Sequence, residues 1–140
     1  IRKDLQKAKN LRAFGGESLD HKKFKEWLAK NPLKIGLPEN IENGKNEYRL
    51  ASADSLDILF EFGKSKVAVE VKSSKSLDPD ILRGIYQCIK YKAILIAQQM
   101  TLKEKYNNRV VLALEGKFPQ KYEYIKELLQ VEVIDNIKQK

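Results

Sequence analysis

The sequence has very little cysteine and no long hydrophobic run. Its one cysteine, Cys88, rules out an internal disulfide and a cysteine-rich metal site. No apolar run approaches the roughly 18 residues that cross a bilayer. The charged start, IRKDLQKAKN, has no hydrophobic stretch behind it, unlike a signal peptide. We therefore expect a cytoplasmic protein. The chain begins with Ile1 rather than Met, which leaves open whether it is a fragment.

Acidic residues are in the minority, and the excess of basic residues indicates a class of partner. The chain has 27 Lys and Arg residues against 19 Asp and Glu residues, a net charge of +8 at pH 7. A cationic surface attracts polyanions and releases counterions when it neutralises phosphates. Nucleic acid is therefore the first partner to consider, and a merely solvated lysine-rich surface is the alternative.

The 140 residues are enough for one domain with a core and too few for two. We expect a basic lead-in segment at 1–16 and a single domain at 17–140. Hydrophobic periodicity and turn residues predict, in order, a helix at 18–30, strands at 47–52, 55–62 and 65–72, a helix from a cap at Asp78 or Asp80 to about residue 99, a strand at 107–116, a helix at 118–130 and a strand at 131–135. A strand–helix–strand crossover makes the later strands parallel, so this order predicts an α/β fold with a mixed central sheet flanked by helices.

The strand VAVEVK carries two charges on one face. Val67, Val69 and Val71 alternate and predict one buried face, so Glu70 and Lys72 project together from the other. In the preceding strand we expect residues 56, 58 and 60 to form one apolar set.

Asp57 lies on the other face of that preceding strand. If the two strands pair as a hairpin across Gly63 and Lys64, one register brings Asp57 close to Glu70, although the sequence leaves the register open.

Two carboxylates held close together need a compensating positive charge. Mg²⁺ or Mn²⁺ would fit, because such hard cations take oxygen ligands from one or two carboxylates, here Asp57 and Glu70, and the Val71 carbonyl could add another oxygen. Lys72 beside the ion could activate the attacking water and stabilise phosphate charge. The alternatives are a simple salt bridge or a solvated sheet face.

The stretch SLDILFEFGKSKVAVEVKSS resembles the core motif of the PD-(D/E)xK nuclease superfamily, in which an aspartate on one strand precedes Glu-x-Lys on the next. The matching positions are Asp57, Glu70 and Lys72. RGIYQCIKYKAIL places Gln87 and Tyr91 four residues apart on one helix face, similar to the Gln-x-x-x-Tyr motif of RecB-like nucleases, which supports the active site and contacts DNA. Tyr91 as a core aromatic remains the alternative.

The resemblance covers about residues 17–115 and implies a restriction-endonuclease-like fold with an αβββαβ core. The family's proline before the aspartate is missing here. Asp54 competes for the aspartate role, but a turn suits it better, and Asp57 is preferred. Many members add an acid from the first helix, and among the three candidates Glu17, Asp20 and Glu26 we choose Glu17 as a further metal ligand.

Other side chains are candidates for the rim of the site. His21, the only histidine, is either a hydrogen-bonding neighbour of the metal or a surface or capping residue. Ser73 and Lys75 follow the Glu-x-Lys strand and are expected to line the same cleft. Arg83 and Lys90 would reach phosphates or be solvated. Core packing is expected for the cysteine.

The resemblance implies a Mg²⁺-dependent DNA endonuclease that leaves a 5′-phosphate. The alternative is a non-catalytic nucleic-acid-binding or assembly module that retains the fold. A small-molecule phosphohydrolase is less favoured, because the sequence has no Gly-rich phosphate loop. Defence, repair and junction resolution all suit the motifs. A homodimer, or a larger chain or complex that supplies targeting, stays open.

Overall fold

The structure, a computed structural model, describes Lys3 and residues 18–50, 52–103 and 105–140. The predicted lead-in segment, apart from Lys3, lies outside these residues, as does Glu17. The helices and strands are α1 (Leu19–Ala29), β1 (Lys45–Arg49), β2 (Ser55–Phe62), β3 (Ser65–Lys72), α2 (Asp78–Gln99), β4 (Asn107–Leu114), α3 (Glu123–Leu129) and β5 (Glu132–Ile134), with short 3₁₀ helices at Pro32–Ile35 and Gln120–Tyr122.

The five strands form one mixed sheet in the order β1-β2-β3-β4-β5. The strands β1, β2 and β3 pair antiparallel, whereas β3–β4 and β4–β5 pair parallel. The helix α2 connects β3 to β4, as a parallel crossover requires. The predicted α/β class with a mixed sheet flanked by helices is therefore confirmed. Among the described helices, none combines the length and apolarity needed to cross a membrane.

The start of α1 is determined by a side-chain cap. Ser18 is the N-cap, and its hydroxyl accepts a hydrogen bond of 3.1 Å from the main-chain N–H of His21. Phe24 and Leu28, four residues apart, are buried against one face of the sheet, which commits the helix to that layer. The cap and the buried stripe together place His21 in the first turn, on the sheet side.

The β2–β3 hairpin has a two-residue turn. Phe62 pairs with Ser65 across the turn, where Gly63 takes a φ of 54° that favours glycine. The same register pairs Ile58 with Val69, and these residues directly follow Asp57 and directly precede Glu70. The predicted hairpin is confirmed, and each acid adjoins a residue of this pair.

One predicted feature of β2 is wrong. Leu56 packs in the core cluster on the α2 side of the sheet, whereas Ile58 and Phe60 pack on the α1 side. Leu59 lies on the α2 side with Leu56, so two residues three apart share a face. Strict alternation therefore breaks at Asp57, between them. The three valines of β3 do share the α1 face, as predicted.

The predicted cap of α2 is also wrong. Leu77 is the N-cap and provides no side-chain hydrogen bond, while Asp78 and Asp80 lie inside the first turn. Carboxylates there still oppose the positive end of the helix dipole. Asp80 is used instead for a contact with the sheet, described below.

The last helix is shorter than predicted. The segment 118–130 contains a 3₁₀ turn followed by the seven-residue α3. Ile125 and Leu129 pack against the core, whereas Leu128 is 66% exposed. The buried stripe is narrow, because residues 125 and 129 lie one turn apart and residue 128 is rotated away from both.

Candidate active site

Glu70 and Lys72 form the buried charged pair at the end of β3. They face α2, opposite the valines, and are only 3% and 1% exposed. Charged groups removed from water need partners, because an unpaired buried charge is strongly unfavourable. Of the two alternatives that the sequence left open, a solvated sheet face is excluded for this pair, whereas a simple salt bridge is compatible with the 3.4 Å between Lys72 Nζ and Glu70 Oε2.

The ammonium of Lys72 lies between two carboxylates. Its Nζ is 3.4 Å from Glu70 Oε2 and 3.1 Å from Asp80 Oδ1. Neither contact has the geometry of a hydrogen bond, and within the described part of the chain Nζ has no hydrogen-bond partner. The ammonium of Lys72 therefore lies beside two carboxylates and can still donate hydrogen bonds.

Tyr91 holds the other oxygen of Glu70. Its hydroxyl lies 3.0 Å from the Ser55 carbonyl and 3.4 Å from Glu70 Oε1. Its ring belongs to the α2-side core, so the residue is both a core aromatic and a contact of the site. Gln87 lies half-buried one turn earlier, and no hydrogen bond joins it to Asp57, Glu70 or Lys72 among the described residues.

Asp57 is anchored to the main chain of β3. Its Oδ2 accepts a hydrogen bond of 2.8 Å from the Val71 N–H and lies 3.7 Å from His21 Nε2. Burial raises the pKa of Asp57, but the nearby His21 ring and the hydrogen bond from the Val71 N–H, helped by the positive charge of Lys72, outweigh it and lower the pKa below its ordinary value. Asp57 is therefore ionised at neutral pH.

His21 contacts the same point of β3 from the other layer. Its Nε2 lies 2.9 Å from the Val71 carbonyl oxygen, so the tautomer protonated there donates to that oxygen. The capped first turn of α1 brings the ring to this position. Val71 is therefore held on both its N–H and its C=O by side chains of the site.

The chemistry of the donors suits a hard cation. Asp57 and Glu70 contribute carboxylates and Val71 contributes a carbonyl, an all-oxygen set that Mg²⁺ and Mn²⁺ favour. In residues 18–50, 52–103 and 105–140, no group of three or more His, Cys, Asp or Glu side chains is arranged to hold a metal ion. An ion held here would take at most two carboxylates from the described residues and would keep several of its waters.

The residues predicted for the rim of the site differ in their exposure and in their partners. Ser73 is buried, and its hydroxyl accepts a hydrogen bond of 3.3 Å from the main chain of exposed Lys75. Arg83 is half-buried on α2. Lys90 lies 2.6 Å from Asp54, so it would have to leave that ion pair to reach a phosphate.

Asp54 and Cys88 have the roles that the sequence favoured. Asp54 precedes β2 and is bonded to Lys90 and Ser52, and these contacts lower the pKa of its carboxyl. Its carboxylate is therefore paired with residues outside the Glu70–Lys72 pair. Burial, reinforced by the charge of Glu70, raises the pKa of Cys88 well above its ordinary value. The thiol therefore stays protonated in the core.

Asp80 is a contact of the buried charged pair that the sequence prediction missed. It was considered only as a helix cap, yet its carboxylate faces Lys72. A signal was present, because Asp80, Gly84 and Tyr91 follow a spacing of four and seven residues, which places them on one stripe of α2. The stripe that carries Tyr91 to Glu70 also carries Asp80 to Lys72.

A scan against protein-family models and searches of curated proteins and of solved structures found no match to this chain. What supports a function is therefore the geometry of the site itself.

Proposed function

We propose that this domain is a metal-dependent DNA endonuclease of the restriction-endonuclease-like fold. The observation that carries the proposal is the buried Glu70–Lys72 pair on β3, with the ionised carboxylate of Asp57 bonded to the intervening Val71. Keeping these charges out of water is costly for stability, and a catalytic site is one reason for a protein to keep such groups.

The order of the elements supports the proposal. A helix, three antiparallel strands, a long helix and a parallel strand follow one another from α1 to β4. This is the αβββαβ order of the nuclease core. Fold order alone does not imply activity, so it adds to the evidence of the site and does not replace it.

Each side chain has a role in the proposed chemistry. Asp57, Glu70 and the Val71 carbonyl would hold Mg²⁺ or Mn²⁺. When bound, such an ion lowers the pKa of water and neutralises charge on the phosphate. Lys72 orients the attacking water and stabilises the charge that develops on the phosphodiester. The attack would leave a 5′-phosphate, as the resemblance implies.

Two neighbours support those residues. Tyr91 fixes the orientation of the Glu70 carboxylate through its hydroxyl. His21 fixes the Val71 carbonyl. Such supporting contacts matter because reacting groups must be held within a fraction of an ångström. DNA, the proposed partner, would be held through its phosphates by the basic surface without base recognition.

A nicking assay tests the proposal. Supercoiled plasmid is incubated with Mg²⁺ or Mn²⁺ and the wild type, Asp57→Asn or Lys72→Gln. We expect the wild type to nick the plasmid and both variants to lose the activity by at least about a hundredfold, the usual order for groups that act on the reacting atoms. Asp54→Asn is the matched control, because it removes the same charge three residues away and should cut normally.

Binding measurements separate the two classes of function. Fluorescence anisotropy with labelled duplex DNA should give similar affinity for the wild type, Asp57→Asn and Asp54→Asn. Circular dichroism must show that each variant is folded. If the folded wild type binds DNA but does not nick it with Mg²⁺ or with Mn²⁺, the domain is a binding or assembly module. If activity survives both Asp57→Asn and Lys72→Gln, the assigned site is wrong.

A further inference from the structure

Asp80 lies in the first turn of α2 and has no part in the motif that names Asp57, Glu70 and Lys72. Its side chain is about one-fifth exposed, yet the Oδ1 atom is buried and lies 3.1 Å from Lys72 Nζ. This distance is shorter than the 3.4 Å between Lys72 Nζ and Glu70 Oε2. The closest described carboxylate to the ammonium therefore comes from the helix.

The position of the ammonium reflects two opposing attractions. Glu70 approaches from the strand and Asp80 from the helix. Because Coulomb forces are strong where water is excluded, each carboxylate pulls Lys72 away from the other. Without Asp80, Glu70 would be the one described carboxylate near Nζ, and the ammonium would move onto it.

The stem of Lys72 is confined as well. A Cβ added at Gly84 would lie 3.1 Å from Lys72 Cε and 2.9 Å from Leu112 Cδ1. The helix thus approaches the lysine most closely where it has no side chain, one turn after Asp80. Because the stem is held beside Gly84, the ammonium can move mainly toward Glu70 or toward Asp80.

We propose that Asp80 is a positioning residue for Lys72: it holds the ammonium between two carboxylates and so limits how closely the ammonium pairs with Glu70. This inference rests on the proposed nuclease function. Glu70 can serve as a metal ligand only if its carboxylate is not neutralised by a closely bound lysine. Asp80 balances part of the positive charge of the Lys72 ammonium. Glu70 therefore keeps more of its negative charge for a metal ion, and Lys72 keeps its own separate role.

The first test is steady-state cleavage by the whole chain with Mg²⁺ and a short duplex DNA. Asp80→Asn keeps the shape and removes the charge. We expect kcat to fall on the order of tenfold or more, the usual effect of losing a supporting contact, while KM stays within about twofold. Asp80→Glu restores the charge and should recover most of the rate.

Asp78→Asn is the matched control. It removes the same charge from the same helical turn, but Asp78 is half exposed and pairs with Lys121, 3.4 Å away. We expect its kcat and KM to equal those of the wild type. An equal loss in both variants would overturn the proposal, because it would reflect the charge of the helix N-terminus and not the position of Lys72.

A second measurement does not depend on cleavage. With isotope-labelled lysine, NMR detects an ammonium group directly when its protons exchange slowly with water, and Lys72→Arg assigns the signal. We expect the Lys72 signal to shift or broaden in Asp80→Asn and to be unchanged in Asp78→Asn. An unchanged signal in Asp80→Asn overturns the proposal, whatever the activity.

The two measurements separate this inference from the proposed function. A wild type that cuts no DNA overturns the nuclease function and the catalytic importance of Asp80 with it. The ammonium signal then still decides whether Asp80 holds Lys72. If Asp80→Asn fails to fold, Asp80→Glu carries both tests: a kcat near that of the wild type supports the inference, and a loss as large as that of Lys72→Gln overturns it.

Discussion

The main-chain N–H of Val71 donates a hydrogen bond of 2.8 Å to Asp57 Oδ2. This bond joins Asp57 on β2 to β3 at the residue between Glu70 and Lys72. The bond ties the Asp57 carboxylate to the main chain of the neighbouring strand. The position of this carboxylate is therefore set by the sheet.

The Asp57 contact predicts a pH-dependent contribution to stability. The pKa of Asp57 is lowered below 3.8, its ordinary value. At Asp57 the unfolded chain therefore binds a proton more readily than the folded protein does. The stabilisation by the ionised carboxylate is complete above pH 3.8 and is lost as the pH falls through the lower pKa of Asp57 in the folded protein. Relative to Asp57→Asn, the wild type should gain roughly 1–2 kcal/mol at neutral pH and lose that gain in strong acid.

Urea unfolding at several pH values measures this difference. Asp78→Asn is the control, because an exposed ion pair contributes little at any pH. A difference between the wild type and Asp57→Asn that stays constant into strong acid would contradict the assignment of the stabilisation to the ionised carboxylate.

Tyr91→Phe should separate the two roles of the tyrosine. The ring stays in the core, but Ser55 and Glu70 lose the hydroxyl that contacts them. We expect a loss of about 1 kcal/mol in the free energy of unfolding and a drop of several-fold in cleavage, because the Glu70 carboxylate is no longer held. Tyr124→Phe, at a ring that is 76% exposed, should change neither quantity. Full activity in a Tyr91→Phe protein would show that the hydroxyl is purely structural.

Gly84→Ala should destabilise the fold although alanine is the better helix former. The new Cβ would lie 2.9 Å from Leu112 Cδ1 and 3.1 Å from Lys72 Cε, and both partners are fully buried. Overpacking of this kind costs about 1–3 kcal/mol, which exceeds the gain in helix propensity of about 1 kcal/mol. Thermal denaturation measures the effect. Gly116→Ala is the control, since its closest contact would be 3.8 Å away.

Cys88 should resist thiol reagents in the folded protein. The side chain is buried in the α2-side core, and burial raises the pKa of its thiol, so both access and the thiolate are lacking. We expect almost no reaction with a disulfide reagent at mildly alkaline pH and full reaction after unfolding in urea. Reaction of the native protein at the rate of a free cysteine would place the thiol outside the core.

Much of the sheet could be predicted, because its signals are local. The three valines of β3 alternate at the period of a strand, and Gly63 supplies the conformation that a two-residue turn needs. The boundaries of β2 and β3 were predicted at the observed residues 55–62 and 65–72. The cap of α1 at Ser18 follows equally from neighbouring residues.

Other features could not be predicted, because they depend on residues far apart in the chain. The break in alternation at Asp57 puts Leu56 in one core cluster and Ile58 in the other, and Leu128 on α3 faces outward. The contact of His21 with Val71 spans fifty positions of sequence. No local pattern encodes such a distance, since it depends on how a helix packs on the sheet.

The sequence by itself determined which side chains share a face: the valines on one side of β3 and the Glu70–Lys72 pair on the other, because the period of a strand is a covalent property. Only the tertiary structure decided what those charges meet. The hairpin register paired Ile58 with Val69, next to Asp57 and Glu70, and the packing of α2 brought Tyr91 to Glu70 and Asp80 to Lys72. A buried charge takes its partners from whatever the fold packs against it, and that is a property of the whole domain.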